Sequence, residues 1–175
     1  MNGTLIDAKS LREKAERSLE SNSGIYKWWA KRTELKTILD VLGVTSKDFE
    51  KEMEQKYGLY CIYVGKADSL EKRLKDNHVN GRAKSTLRKS IGGVLLAEYG
   101  PENLKERIDD FIDKLKIEYE LVDLEKLKES EKKEIGKEYL RVFNGNSNGH
   151  KELRKLYGDR LTDLRKKFDE VKMKK

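Results

Sequence analysis

Hydrophobic and polar residues alternate in a few short stretches of the chain and recur every three or four positions in most of the others. Alternation or dense aromatic content predicts strands at 24–30, 58–65 and 116–122. Helical spacing predicts helices over several longer stretches: about 7–22, 34–42, 69–78, 84–98, 102–115, 123–140 and 151–172. The pattern therefore predicts an α+β fold, in which a small three-stranded, mainly antiparallel sheet is surrounded by helices.

The length of 175 residues suits one domain with one core. We expect a single domain over 1–175 that begins with a helix at about 7–22 and ends with a basic helix at about 151–172. Between the first two strands, residues of about 34–56 form a helical insert. Within the second strand, strict alternation places Tyr63 on the face of Cys61 and opposite to Ile62.

Composition narrows the setting more than the function. The single cysteine, Cys61, cannot form an internal disulfide, so a reducing, cytoplasmic location is the default expectation. No apolar stretch approaches the ~20 residues that span a bilayer, so no membrane is expected as a partner. The formal net charge of +7 indicates a polyanionic partner only if the basic residues surround a site.

Two tripeptides lie in the first two predicted strands, Gly24-Ile25-Tyr26 and Tyr63-Val64-Gly65. Lys66 and Ala67 follow directly, and Arg73 comes ten residues after Tyr63 on the next predicted helix. A glutamate-bearing helix and then Asn144 in a loop complete the set. Together these residues resemble the GIY-YIG nuclease family over roughly 24–150, and the segment STLRKSIGGVL at 85–95 is similar to one in some bacterial members.

The spacing of the two tripeptides departs from the family. Members commonly join the two tyrosine strands by a short turn, whereas about thirty residues of predicted helix intervene here. A competing first tripeptide, Gly58-Leu59-Tyr60, is rejected because it lies on the same strand as Tyr63. It therefore cannot supply a separate neighbouring strand.

The resemblance implies a DNA endonuclease that depends on Mg²⁺ or Mn²⁺, with catalytic residues Tyr26, Tyr63, Arg73, His78 and Glu131. A tyrosine acts as a general base only if positive neighbours lower its pKa, and Lys66, Arg73 and a bound metal are expected to do so. Tyr26 is the preferred base. Arg73 is expected to donate two hydrogen bonds to the scissile phosphate. His78 is expected to contact a phosphate or the attacking water, as a histidine does in some relatives.

The metal ligand is sought on the helix at 123–140, where several acids lie. The apolar stripe of this helix runs through Leu124, Leu127, Ile135 and Tyr139, and residue 131 completes it. Glu131 is therefore predicted to face the core and to bind the metal, and in the resemblance it precedes Ile135 as the family acid does. Glu134 and Glu138 remain open as alternatives. A single carboxylate suits one Mg²⁺ that keeps most of its waters.

Basic residues around the predicted site are candidates for binding DNA: Lys66, Arg82, Lys84, Arg88 and Lys89. Asn144 either holds its loop or touches a phosphate. The arginines of the last helix, Arg165 among them, fit either a DNA-binding surface or a solvated helix. Because one site cuts one strand, cleavage of both strands requires a homodimer or two events. A non-catalytic DNA-binding module on the same fold is the alternative function.

Overall fold

The structure is a computed structural model, and it describes residues 3–13, 19, 22–44, 46–137, 139–144 and 151–173. Its sheet has five strands: β1 (Thr4–Asp7), β2 (Gly24–Ala30), β3 (Gln55–Lys56), β4 (Leu59–Ala67) and β5 (Lys116–Leu121). Their order across the sheet is β1-β5-β2-β4-β3, and every neighbouring pair is antiparallel.

The three predicted strands are confirmed as the centre of this sheet, but the predicted total of three is wrong. Both additional strands lie at the edges. β1 has only four residues and leads directly into a helix, and β3 is a polar pair of residues that carries no alternation. Edge strands this short leave no hydrophobic pattern of their own in the sequence.

Helices pack around the sheet: α1 (Ala8–Arg12), α2 (Arg32–Leu42), α3 (Ser46–Glu52), a π-helix (Glu71–Val79), α4 (Thr86–Tyr99), α5 (Leu104–Asp113), a 3₁₀ turn (Leu124–Lys126), α6 (Leu127–Ile135) and α7 (Lys151–Met173). The helix predicted at about 7–22 is described as a helix only over α1, and most of its second half lies outside the described residues. The insert holds β3 as well as α2 and α3. The helix predicted at 123–140 is shorter than expected, because α6 ends at Gly136.

The main hydrophobic core lies between one face of the sheet and the helices, and it includes Tyr26, Trp28, Ile38, Ile91 and Ile112. A smaller cluster covers the opposite face. It consists of Trp29, Leu59, Cys61 and Val64, with Ile135 of α6 packed against it. The two faces of β2 and β4 are therefore both covered, which fits the nearly continuous burial of these strands.

A β-bulge in β4 decides which face Tyr63 occupies. Trp28 pairs with Tyr63, but the next residue of β2, Trp29, pairs with Cys61, so Ile62 is an extra residue. Ile62 and Tyr63 consequently both belong to the main core, while Cys61 belongs to the opposite cluster. The prediction that Tyr63 shares the face of Cys61 is wrong, because strict alternation does not survive a bulge.

Two glycines in α4 allow α7 to pack closely against it. Phe168 lies against Gly92, and a Cβ atom at Gly93 would lie 2.7 Å from the carbonyl oxygen of Leu164. Leu164 and Phe168 are both buried. The long basic helix is therefore docked through a small-residue notch and forms part of the core of the fold.

We predict that Gly93→Ala destabilises the protein by about 1–3 kcal/mol, because the added methyl group meets backbone and α7 must shift. Gly158→Ala in α7 is the matched control. Its Cβ would meet only the side chain of Arg154, at 3.7 Å, so it is expected to raise stability by up to about 1 kcal/mol. Urea unfolding of both variants measures the difference. Equal stability of the two variants would show that the notch does not hold α7.

Candidate active site

The side chain of Tyr26 crosses from β2 over Gly65 of β4. The two residues are paired across the strands, and a Cβ atom at Gly65 would lie 2.5 Å from the Tyr26 hydroxyl oxygen. The ring of Tyr63 is tilted beside that of Tyr26, with 6.3 Å between the centroids. The glycine of the second tripeptide therefore has a steric reason, since any side chain there would displace Tyr26.

The hydroxyl of Tyr26 begins a chain of hydrogen bonds that joins three elements. It lies 2.8 Å from Nε2 of His78, and it accepts a hydrogen bond of 3.3 Å from Nε of Arg73. The other ring nitrogen of His78 lies 2.6 Å from Oγ of Ser85. Ser85 in turn caps α4 by accepting from the backbone N–H of Arg88 at 3.1 Å. One chain of hydrogen bonds thus joins β2, the π-helix and α4.

The π-helix explains how Arg73 and His78 reach the same hydroxyl. In an α-helix, residues five apart point about 140° away from each other. In a π-helix the backbone bonds link residues five apart, which brings such residues onto one side. Arg73 and His78 have this separation and lie within Glu71–Val79. The wide helical turn is therefore the device that aligns an arginine and a histidine on Tyr26.

The buried environment changes the protonation of these groups. Burial raises the pKa of Tyr26 and of Tyr63, and Arg73 opposes this shift without overcoming it. Arg73 alone therefore does not leave either tyrosine with a lowered pKa, and the expected lowering by Lys66, Arg73 and a bound metal together stays a prediction. Burial, together with Arg73 and Arg88, holds the pKa of His78 well below its usual range, so His78 is neutral at pH 7.

His78 is completely buried, so the predicted direct contact with a phosphate or a water does not fit the structure. A neutral imidazole has one donor and one acceptor nitrogen. It therefore accepts from Tyr26 and donates to Ser85, or the reverse. In either arrangement His78 fixes the orientation of the Tyr26 hydroxyl, which makes it a positioning residue.

Glu131 lies on α6 and faces the site. Its carboxylate is 2.9 Å from Nζ of Lys66, and a quarter of its side chain (25%) is exposed. Glu131 and Tyr63 line the same cavity, which has a volume of about 390 Å³. Tyr63 therefore connects the cavity that Glu131 lines with Tyr26 and its partner Arg73. The predicted convergence of all four side chains on one surface stays a prediction.

The apolar stripe that was predicted to include Glu131 is not present in the structure. Leu124 and Tyr139, which defined the predicted stripe, are 61% and 41% exposed. The carboxylate that faces the interior is Glu134, whereas Glu131 is partly open to solvent. The stripe does not continue along one helix, because the 3₁₀ turn and Gly136 bound α6 on its two sides.

Glu134 is fully engaged on the other face of the sheet. It lies 2.6 Å from Lys27, 2.7 Å from Lys137 and 3.5 Å from Arg141. Burial opposes its ionisation, yet Lys137 and Lys27 outweigh that effect and lower its pKa to about 2. Glu134 is therefore a structural carboxylate, and the alternative that it holds a metal is set aside. The remaining alternative, Glu138, lies outside the described residues.

The comparison with known families agrees with this geometry. The model of the GIY-YIG catalytic domain matches residues 24–167, which is most of the chain and includes every element of the site. The chain belongs to the GIY-YIG family. Curated proteins and solved structures gave no significant match. The predicted resemblance is confirmed, and members of this family are in general endonucleases that act on DNA.

The basic residues predicted to contact DNA differ in their exposure and in whether an ion pair already engages them. Lys84 and Arg82 are exposed, and Arg82 pairs with Asp76 at 2.9 Å. Lys66 is held by Glu131, and Lys89 forms an ion pair with Asp169. These four residues stay predictions for DNA contact.

Arg88 differs from them, and its assignment to DNA is corrected. It donates to the carbonyl oxygens of His78 at 3.1 Å and Val79 at 2.8 Å, and its guanidinium lies 2.6 Å from Asp109. Only 12% of its side chain is exposed. Arg88 therefore closes the C-terminal end of the π-helix and has little surface left for a phosphate.

Asn144 holds its loop against β4. Its side chain accepts from the N–H of Val64 and donates to the C=O of Val64, both at 2.7 Å, as a paired strand would. The N–H of Phe143 adds a bond of 3.0 Å to the carbonyl of Ile62. Of the two roles predicted for Asn144, the structure favours holding the loop, because its amide groups are already engaged beside the bulge.

The sequence pattern did not decide whether Arg165 belongs to a DNA-binding surface or to a solvated helix. Arg165 of α7 donates to Oγ of Ser90 and to the carbonyl of Phe143, both at 2.9 Å. It lines the same cavity as Tyr63. The only sequence signal for this placement was the glycine pair in α4 that lets α7 approach.

A search of the described residues found no helix that combines the length and the apolar character needed to cross a bilayer. The longest helix, α7, is 23 residues long and carries charges along its length.

We predict that the buried neutral state of His78 makes the protein less stable in mild acid. The folded-state pKa lies below that of the unfolded chain, near ~6.5, so unfolding takes up a proton below that pH. The stabilisation is complete above about pH 6.5 and is lost as the pH falls, by up to about 1.4 kcal/mol per pH unit. Urea unfolding between about pH 5 and 7 should show this slope in the wild type and not in His78→Gln. Parallel curves for the two proteins would contradict it.

We predict stability losses of different size for substitutions of two nearby glutamates. Glu134→Gln leaves the buried Lys27 with one partner fewer, and it is expected to cost about 3 kcal/mol. Glu131→Gln removes one partly exposed ion pair and is expected to cost less than about 1 kcal/mol. Chemical unfolding at neutral pH measures both. A large loss in Glu131→Gln would indicate a structural role for that carboxylate.

Proposed function

We propose that the protein is a metal-dependent DNA endonuclease that hydrolyses phosphodiester bonds at the site formed by Tyr26, Tyr63, Arg73 and Glu131. The observation that carries the proposal is the placement of Tyr63 in a domain of the GIY-YIG family: it lies beside Tyr26, which Arg73 contacts, and it lines one cavity with Glu131. Two tyrosines, an arginine and a partly exposed carboxylate together supply donors for a phosphate, and a ligand for a cation.

Arg73 is the residue proposed to bind the scissile phosphate. Among the described residues it has no carboxylate partner: it donates to Tyr26 and, at 3.2 Å, to the carbonyl of Lys84. A guanidinium has five N–H donors, so others remain for phosphate oxygens. Because Tyr26 and the Lys84 carbonyl fix its direction, Arg73 can stabilise charge that develops on the phosphate without reorganising.

Of the two tyrosines, Tyr63 is proposed to meet the attacking water. Tyr26 is completely buried and is engaged by Arg73 and His78, whereas Tyr63 keeps 9% of its surface exposed and lines the cavity. This reverses the preference for Tyr26 as the base. The raised pKa of Tyr63, caused first by burial, keeps it protonated at neutral pH until a further cation enters the site.

A cation is expected at Glu131, as Mg²⁺ or Mn²⁺. The described residues contain no group of three or more metal-ligating side chains, and Glu131 is the carboxylate proposed as the ligand. This donor set fits a hydrated Mg²⁺ that also binds phosphate oxygens. The ammonium of Lys66 already shows that this carboxylate attracts a cation, and Lys66 would have to move away. When bound, the metal would polarise the phosphate and lower the pKa of a bound water.

A non-catalytic DNA-binding module is the second candidate function. The ion pair between Lys66 and Glu131 and the raised pKa of both tyrosines are the observations that favour it. In that case the same surface binds DNA but does not cut it. The two functions differ in their response to metal, which a cleavage assay detects directly.

The deciding experiment is plasmid nicking by the purified protein with and without Mg²⁺ or Mn²⁺, extended to branched and single-stranded DNA. We expect metal-dependent cleavage by the wild type and none by Glu131→Gln, which keeps its shape but loses the charge that holds the cation. Glu131→Gln should still bind DNA, because a negative group that faces phosphates is gone. A wild type that binds but does not cut any of these substrates would establish the binding module instead.

A second prediction separates chemistry from binding. Arg73→Ala should lower the cleavage rate by about 10²–10³-fold, by analogy with the loss of one donor to a developing oxyanion, and change DNA affinity little. Lys84 is exposed, and its carbonyl accepts from Arg73. Lys84→Ala should weaken DNA binding and lower the salt dependence of that binding by about one unit. Fluorescence anisotropy and single-turnover cleavage measure the two effects. Equal loss of affinity in both variants would reduce Arg73 to a backbone contact.

A further inference from the structure

Two partly buried arginines stand apart from others in the described part of the chain. Arg12, Arg88 and Arg141 each form an ion pair with at least one carboxylate. Arg73 and Arg165 donate only to hydroxyl and carbonyl oxygens within the described residues. A guanidinium that is removed from water without a counter-charge is costly, so such a site gains free energy when an anion arrives.

Arg165 is held in a fixed direction. Ser90 of α4 accepts from its Nε, and the carbonyl of Phe143 accepts from its Nη2. Neither partner carries charge, so the full positive charge of the guanidinium is retained. Burial lowers the pKa of Arg165 and Tyr63 opposes that shift, which agrees with the closeness of the two side chains.

Arg165 shares one cavity with two of the proposed catalytic residues, Tyr63 and Glu131. The cavity of about 390 Å³ is lined by Tyr63 and Glu131 on the sheet side of the site. The wall supplied by α7 carries three cations and one acid: Arg154, Lys155, Arg165 and Asp159. A strand of nucleic acid carries a phosphate at every nucleotide, so a cationic wall beside the scissile position is suited to the next phosphate along that strand.

We infer that Arg165 binds a second, non-scissile phosphate of the strand that is held at the tyrosines. This inference rests on the proposed function. Arg73 from the π-helix and Arg165 from α7 then contact the strand at two points near Tyr63. Two fixed guanidinium contacts set the register of the backbone, so that one particular phosphate faces Tyr63 and Glu131. The long C-terminal helix is in this way part of the substrate site.

A titration without metal tests the contact on the unaltered protein. The arginine side chains are labelled with ¹⁵N, and the probe is a 5′-phosphorylated thymidine dinucleotide, which carries two phosphates. We expect the Nε–H signals of both Arg73 and Arg165 to shift, while that of Arg88, already bound to Asp109, stays in place. The loss of one signal in Arg165→Lys assigns it. A shift of Arg73 alone would overturn the inference.

A matched pair of variants tests the same contact with DNA. Arg165→Gln should lower the salt dependence of DNA binding by about one unit, with a small loss of affinity, as expected for the loss of one phosphate contact. Lys166→Gln, at its exposed neighbour on α7, should keep the wild-type salt dependence. Unchanged affinity and salt dependence in Arg165→Gln would also overturn the inference. Thermal melting shows whether α7 stays docked, and Arg165→Lys is the substitute if it does not.

The outcomes for the two proposals are distinguishable. If the wild type fails to cut DNA but the dinucleotide shifts the Arg165 signal, the endonuclease proposal fails and the phosphate contact stands. If the wild type cuts DNA and the Arg165 signal does not respond, the endonuclease proposal stands and the phosphate contact fails. Because the titration contains no metal, its result does not depend on cleavage.

Discussion

The hydrogen bond between the Tyr26 hydroxyl and Nε2 of His78 is the constraint on which the site depends. It is buried, so breaking it would leave two polar groups unsatisfied, and it connects the central strand β2 to the π-helix. Ser85 extends the connection to the start of α4, and Arg73 joins it from the same side of the π-helix. Removing water from these groups fixes their geometry and at the same time keeps His78 neutral and Tyr26 protonated.

Local irregularities place the remaining residues of the site. The extra residue Ile62 turns Tyr63 toward Tyr26, and Asn144 satisfies the backbone of β4 directly after the bulge. The glycine notch in α4 lets α7 approach, which brings Arg165 to the same cavity. A departure from regular strand geometry therefore places Tyr63, and close packing of two helices places Arg165.

The sequence predicted the centre of the fold from its pattern of apolar residues, and it predicted the family from the resemblance of its two tripeptides. The dense apolar strands β2, β4 and β5 leave clear patterns, and Ser85 caps α4 as a serine at that position should. No periodic signal in the sequence marks the bulge, the π-helix or the short edge strands. Regular alternation and 3.6-residue spacing do not hold at these places, so predictions based on them fail there. The apolar stripe predicts a glutamate that faces the interior, and in the structure that residue is Glu134 and not Glu131. Arg88, predicted to contact DNA, is instead engaged by Asp109 and two carbonyl oxygens.

In the proposed endonuclease, one site beside Tyr63 brings metal and DNA together at Glu131. Paramagnetic broadening by Mn²⁺ tests it most directly: ¹⁵N-labelled protein is mixed with a short DNA duplex, and Mn²⁺ is added in substoichiometric steps. We expect the backbone amide signals around Glu131 and Tyr63 to broaden first in the wild type. In Glu131→Gln, these signals should no longer broaden before the others. Broadening that begins at other acids, such as those around Asp109, or that is unchanged in Glu131→Gln, would contradict it.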